Sequence, residues 1–254
     1  MFSNITLNAG KKIYFASDFH LGSFPLSDSK EREKRVVAWL ESISKDAQIL
    51  ILLGDVFDFW FEYKTVVPRG YIRFLGKLAE LADKGIKIYF FKGNHDMWMF
   101  GYLKGELNAD IISNELLFEC EGKKFYLHHG DGLGPGDVSY KFLKKIFRNR
   151  LCQWLFARIH PNLGIWIAQQ WSKSSRISSG KKEAFESVEK EWLYQFANKQ
   201  AQLIPVDYFV FGHRHLPLDL TLKDGSRYVN LGEWIHFNTF AVYDGVSLEL
   251  KTWE

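Results

Sequence analysis

The chain has 254 residues, 46% hydrophobic and 25% charged, which excludes a disordered or fibrous polypeptide and leaves a globular protein with a sizeable core. Its formal charge of +3 is too small to argue for a nucleic-acid partner by itself, and its two cysteines, Cys120 and Cys152, allow at most one disulfide. No apolar run reaches the roughly 20 residues needed to cross a bilayer, so any membrane contact is expected to be peripheral, and the opening MFSNITLNAGKKIYF lacks a signal-peptide pattern, so a cytoplasmic location is expected.

In chain order, the β-rich run IYFA (13–16) leads into SDFH, and a helix is expected over about 30–46. The run ILILL (49–53) leads into GDVFD, followed by a helix over 70–84. IKIYFF (86–91) leads into KGNHD, and KFYLH (124–128) into HGD. A helix over 183–200 precedes VDYFVF (206–211), which leads into GHRH, and RYVNL, FAVYD and VSLEL read as closing strands with a turn at Asp244-Gly245. This alternation predicts one layered α/β domain over 1–254.

Each polar cluster falls at the carboxyl end of its strand, where α/β proteins place ligand sites. Turn chemistry accounts for any one of them, because Asp, Asn and Gly are common turn residues. Five successive clusters of metal-ligating side chains point to a site. Asp18 and His20 are two apart, so an extended backbone would direct both to one cation. Asp55 has two carboxylate oxygens and can bridge a pair of cations, Asn94 offers an amide oxygen, and His129, His213 and His215 offer imidazoles. Mixed oxygen and imidazole donors suit first-row divalent ions, with Mn²⁺ expected ahead of Fe²⁺ or Zn²⁺. Such a pair lowers the pKa of a shared water and neutralises phosphoryl charge, so no nucleophilic Ser or Cys is required.

His95 is expected to donate a proton to the leaving oxygen or to stabilise its charge, with Asp96 holding its ring in one tautomer. The alternatives for His95 are a further metal ligand or a turn residue. Asp58 either orients a ligand histidine or caps its turn. His128 faces away from His129 along the strand and is expected to be buried.

Residues 132–182 form an insert. After the glycine-rich GLGPGD, residues Phe142, Leu143, Ile146, Phe147, Leu151, Trp154, Leu155 and Ile159 recur at helical spacing. Pro161 is expected to stop that helix, and LGIWIAQQW (163–171) to begin another. From Lys141 to Lys182 there are ten Lys and Arg and no Asp or Glu, so the rest of the chain is net acidic. Three readings fit: a lid against an anionic membrane surface, a nucleic-acid clamp, or a hairpin whose apolar face packs on the domain. Leu, Ile and Trp in excess of Tyr, Asn and Gln favour lipid. Candidate substrate contacts are Ser175, Arg176 and Lys182 for phosphate or uridine, and Trp154, Trp166 and Trp171 for an apolar groove.

SDFH (17–20), GDVFD (54–58), GNHD (93–96), HG (129–130) and GHRH (212–215) resemble, in order, the signature of the calcineurin-like metallophosphoesterases. The resemblance implies a four-layer α/β/β/α sandwich with two metals, one on Asp18, His20, Asp55 and His215 and the other on Asp55, Asn94, His129 and His213. A helical insert after HGD, the dipeptide Ile167-Ala168 before a basic, serine-rich stretch, and LGEW (231–234) resemble more narrowly the UDP-2,3-diacylglucosamine diphosphatases. That likeness implies Mn²⁺-dependent cleavage of a pyrophosphate in lipid A biosynthesis, giving UMP and an acylated sugar 1-phosphate, at the inner-membrane surface. It further implies acyl chains in a groove under the lid; monomer is the default expectation. The chain departs from that pattern at His95, at FWFEYK (59–64), at GLGPGD and at Glu233, as a divergent member would. The alternative is a phosphodiesterase or pyrophosphatase on another nucleotide- or lipid-linked substrate, or a nuclease.

Overall fold

In the computed structural model, residues 2–135, 138–178 and 185–254 are described, except for the side chains of residues 26, 138, 139 and 173–178. The elements run β1 (Ser3–Ile5), β2 (Lys12–Ala16), α1 (Leu26–Ile43), β3 (Ala47–Leu52), α2 (Ile72–Asp83), β4 (Lys87–Phe91), α3 (Tyr102–Leu107), β5 (Asp110–Ile112), β6 (Leu116–Cys120) and β7 (Lys123–His128). There follow α4 (Val138–Arg148), α5 (Arg150–Phe156), α6 (Pro161–Ser178), α7 (Trp192–Ala201), β8 (Tyr208–Phe211), β9 (Pro217–Thr221), β10 (Arg227–Leu231), β11 (Thr239–Tyr243) and β12 (Leu248–Thr252).

Side-chain alternation decides the layers. In β2, Ile13 and Phe15 enter one core while Tyr14 and Ala16 enter another, and in β3 Ile49 and Ile51 part from Leu50 and Leu52 in the same way. Strands buried on both faces read as unbroken apolar runs, as ILILL does. Two mixed six-stranded sheets result, ordered β12-β11-β2-β3-β4-β5 and β1-β6-β7-β8-β10-β9. Their facing sides enclose Phe15, Ile51, Phe125, Val210 and Tyr243; α1 and α2 cover the first sheet, and α7 the second. The four expected layers are present.

Within the first sheet β2, β3 and β4 are parallel neighbours, and within the second so are β7, β8 and β10. Their carboxyl ends carry Asp18, Asp55, Asn94, His129 and His213. A direct bond joins the two edges where His213 N donates to Asp18 Oδ2 at 3.0 Å.

The insert differs from the expectation in two places. The single helix expected up to Pro161 is broken at Asn149, whose Oδ1 accepts from Leu151 N at 2.9 Å and Cys152 N at 3.2 Å, capping α5. Pro161 opens α6, a first-turn position where its missing N–H costs nothing. The helix expected from 183 begins at Trp192; residues 188–190 form a turn, and 183 and 184 lie outside the described residues. Cys120 and Cys152 are free thiols. Among the described residues, no helix is long and apolar enough to cross a membrane.

Candidate metal centre

Five of the seven expected ligands have left-handed backbones: Asp18 (φ 57°), His20 (43°), Asp55 (52°), His213 (67°) and His215 (54°). This corrects the extended geometry expected at Asp18 and His20. Each such residue costs about 1–2 kcal/mol in a non-glycine, and the loops are held against that cost by one another. Asp18 N donates to Gly54 O at 3.0 Å, His20 N to Asp55 O at 2.9 Å, and Gly212 N to His129 O at 3.0 Å. Gly93 and Gly212 allow the closest approaches: a Cβ on Gly93 would overlap Asp55 Oδ1, and one on Gly212 would lie 2.6 Å from Asp18 Oδ2.

Two groups of donor atoms form, and Asp55 belongs to both. Asp18, His20, Asp55 and His215 make one, and Asp55, His129 and His213 the other. In the first, Asp18 Oδ1 lies 3.2 Å from His215 Nε2 and 3.7 Å from His20 Nε2, and the two Nε2 atoms are 3.1 Å apart. Asp18 Oδ1 is buried and makes no hydrogen bond. In the second, His129 Nε2 lies 3.5 Å from Asp55 Oδ2 and 3.2 Å from Asn94 Oδ1, which places the Asn94 amide oxygen beside this group. Converging lone pairs at these separations are what a divalent ion with bonds of about 2.0–2.2 Å requires, so the donor set fits a divalent metal site.

The surroundings point these groups inward. His129 Nδ1 lies 2.6 Å from Leu53 O, which turns Nε2 toward the site. His20 Nδ1 faces Asp58 Oδ1 at 3.5 Å, so of the two readings of Asp58 the orienting one fits. Arg214 holds the GHRH turn through a paired contact with the buried Glu191, at 3.1 Å for Nε to Oε1 and 3.1 Å for Nη2 to Oε2. His128 is buried, with Nδ1 accepting from Gly130 N, as expected for a residue facing away.

Asp96 departs from its expected place. Its carboxylate accepts from Asp55 N, Val56 N, Phe57 N and Gly93 N at 2.8–3.3 Å, so it ties two ligand loops together instead of holding the His95 ring. The ring is held from elsewhere: His95 Nδ1 lies 3.1 Å from Asp58 O and 3.3 Å from Ser172 Oγ.

Electrostatically the cleft favours positive charge. Burial opposes protonation of His20, but the carboxylates of Asp18, Asp58 and Asp55 outweigh it and raise its pKa to about 10. His129 is likewise raised to about 10, burial being overcome chiefly by Asp55. Asp18 and Asp55 are held well below the usual carboxylate range, as neighbouring imidazoles outweigh burial. Burial, then the His129 charge, lowers His213 to about 4, and burial also lowers His95.

Of the expected substrate contacts, Trp154, Trp166 and Trp171 are 53%, 57% and 50% exposed and so are not core residues. Arg158 lies over the Trp154 ring at 4.7 Å, and Trp171 meets Phe147 edge-on. The side chains of Ser175 and Arg176, and the whole of Lys182, lie outside the described residues. Sequence reading missed Ser172, which no motif marks, and Glu191, whose partner Arg214 sits inside a recognised motif.

A family model described as calcineurin-like phosphoesterase matches residues 11–217. A UDP-2,3-diacylglucosamine hydrolase of Porphyromonas gingivalis is 43% identical over 256 residues, covering 96% of this chain and 98% of the relative. An Actinobacillus succinogenes protein of the same name is 27% identical over 229 residues, covering 88% and 92%. With all five motifs on one cleft and the match running through both sheets, the chain belongs to the calcineurin-like phosphoesterases.

Proposed function

We propose that this protein hydrolyses the pyrophosphate of UDP-2,3-diacylglucosamine with two divalent cations, Mn²⁺ foremost, releasing UMP and 2,3-diacylglucosamine 1-phosphate. The observation that carries the two-cation reading is the Asp55 carboxylate, common to both donor groups. Asp18, His20, Asp55 and His215 would hold one cation, and Asp55, Asn94, His129 and His213 the other. When bound, the pair supplies an activated water and neutralises charge on the phosphoryl oxygens.

The chain's own groups do the rest. Asp58 fixes His20, the Leu53 carbonyl fixes His129, and Asp96 locks the GDVFD and GNHD loops in register. His95 keeps its Nδ1 proton on the Asp58 carbonyl, so Nε2 is the nitrogen free to serve the leaving oxygen. Burial disfavours its imidazolium in the free protein, and the negative charge of a bound diphosphate would favour it.

Substrate class rests on the relatives' name together with the insert. Phe147 and Phe156 turn inward against Trp98 and Phe61, whereas Phe142, Leu151, Trp154, Leu155, Leu163 and Trp166 remain 51–65% exposed. So much open apolar surface, flanked by Lys141, Lys145 and Arg158, suits acyl chains and the anionic inner face of a membrane better than a hairpin packed on the domain. The test is incubation of the Mn²⁺-loaded protein with UDP-2,3-diacylglucosamine and mass detection of products. UMP with the acylated sugar phosphate supports the proposal; cleavage of a simple uridine phosphodiester without these products would sink the substrate assignment and leave the metal chemistry standing.

A further inference from the structure

Among the described residues, the insert meets the metal centre through a buried polar atom on α6. Ser172, on α6, is 6% exposed, and its hydroxyl donates to Asp58 Oδ2 at 3.0 Å while lying 3.3 Å from His95 Nδ1. Asp58 in turn faces His20 Nδ1 at 3.5 Å with its other oxygen, so a single carboxylate links the insert to a proposed metal ligand. His20 and His95 stand edge to face, with ring centroids 4.9 Å apart. Other polar attachments of the described insert residues lie on α4: Tyr140 and Lys144 meet Asp131, each at 2.5 Å, and Arg148 Nη2 donates to Ser113 O at 2.7 Å. Among these described contacts, the one on α6 reaches His95.

We infer that Ser172 is a positioning residue through which the lid completes the catalytic centre: its hydroxyl sets the Asp58 carboxylate and the His95 ring, so hydrolysis is efficient only with α6 seated. This rests on the role given to His95 above. The lid would then act on the chemical step for every substrate, including those with no acyl chain to bind.

The test compares the Mn²⁺-loaded intact protein with its Ser172→Ala, Ser172→Thr and His95→Ala variants on UDP-2,3-diacylglucosamine and on two acyl-free substrates, the phenyl and p-nitrophenyl diesters of uridine 5′-phosphate. Ser172→Ala should lower kcat about 10–100-fold, the usual effect of removing a group that orients a site, with KM within about twofold. The loss should be greater for phenyl, the poorer leaving group, than for p-nitrophenyl, a difference that general loosening would not produce. Ser172→Thr, which keeps the hydroxyl, should recover most of the rate. Metal content and melting temperature should match the parent.

Loss confined to KM for the acylated substrate, or a kcat within about threefold of the parent on all substrates, overturns the inference. An inactive His95→Ala beside an active Ser172→Ala overturns this inference alone, whereas a fully active His95→Ala removes the role of His95 and overturns both.

Discussion

Asp55 is placed by its backbone as much as by its side chain. Its left-handed φ turns the carboxylate between two groups of imidazoles, while Asp96 holds its N–H and Oδ1 accepts from His95 N at 2.8 Å. On the two-cation reading, Asp55→Ala removes a ligand from both sites, and elemental analysis should find the metal content collapsed from two ions per chain. His95→Ala should keep the metals and lower kcat by about 10²–10⁴, the range for a general acid. Proton linkage gives a further expectation. His20 and His129 are raised to about 10, so both are protonated at pH 7 in the metal-free protein and must lose those protons to bind a cation. Affinity for Mn²⁺ should therefore rise with pH from 6 to 9, with proton release seen by calorimetry in buffers of different ionisation enthalpy. A pH-independent affinity would contradict the charge balance described.

At the scale of elements, strand ends carry the proposed ligands and helices pack around them. The five strand-end clusters were legible in the sequence because unbroken apolar runs such as ILILL end abruptly in polar residues. Their loop conformation was not legible, because left-handed Asp18 and His20 depend on bonds to the GDVFD loop 35 or more positions away. Asp96 was misplaced for a related reason: adjacency to His95 in sequence says nothing of a carboxylate turned toward four N–H groups of two loops. The break at Asn149 was overlooked because apolar periodicity runs straight across it. Its cap should be measurable, with Asn149→Ala costing about 1 kcal/mol in denaturant unfolding. On the outer face of the insert, Trp154→Ser with Trp166→Ser should raise KM for the acylated substrate about tenfold or more, since each buried apolar side chain contributes about 1.5–3 kcal/mol, while acyl-free diesters are turned over as before.

Across the whole molecule, charge is divided more sharply than the net of +3 implies. Ten of the 33 Lys and Arg lie between 141 and 182, and none of the 30 Asp and Glu does. On the membrane-surface reading, the protein should sediment with vesicles containing phosphatidylglycerol and come off as ionic strength rises past a few tenths molar; indifference to lipid charge would count against it. The four layers could be anticipated from strand alternation and family likeness, whereas the three- to six-residue elements β1, β5 and α3 are too short to carry a periodicity. Everything proposed for catalysis depends on Asp55 serving two cations at once. Anomalous diffraction at the manganese edge from Mn²⁺-soaked crystals tests that most directly. Two peaks about 3.5–4 Å apart, one on each side of the Asp55 carboxylate and flanked by His20 and His129, are the predicted result; a single peak, or peaks that bypass Asp55, would contradict it.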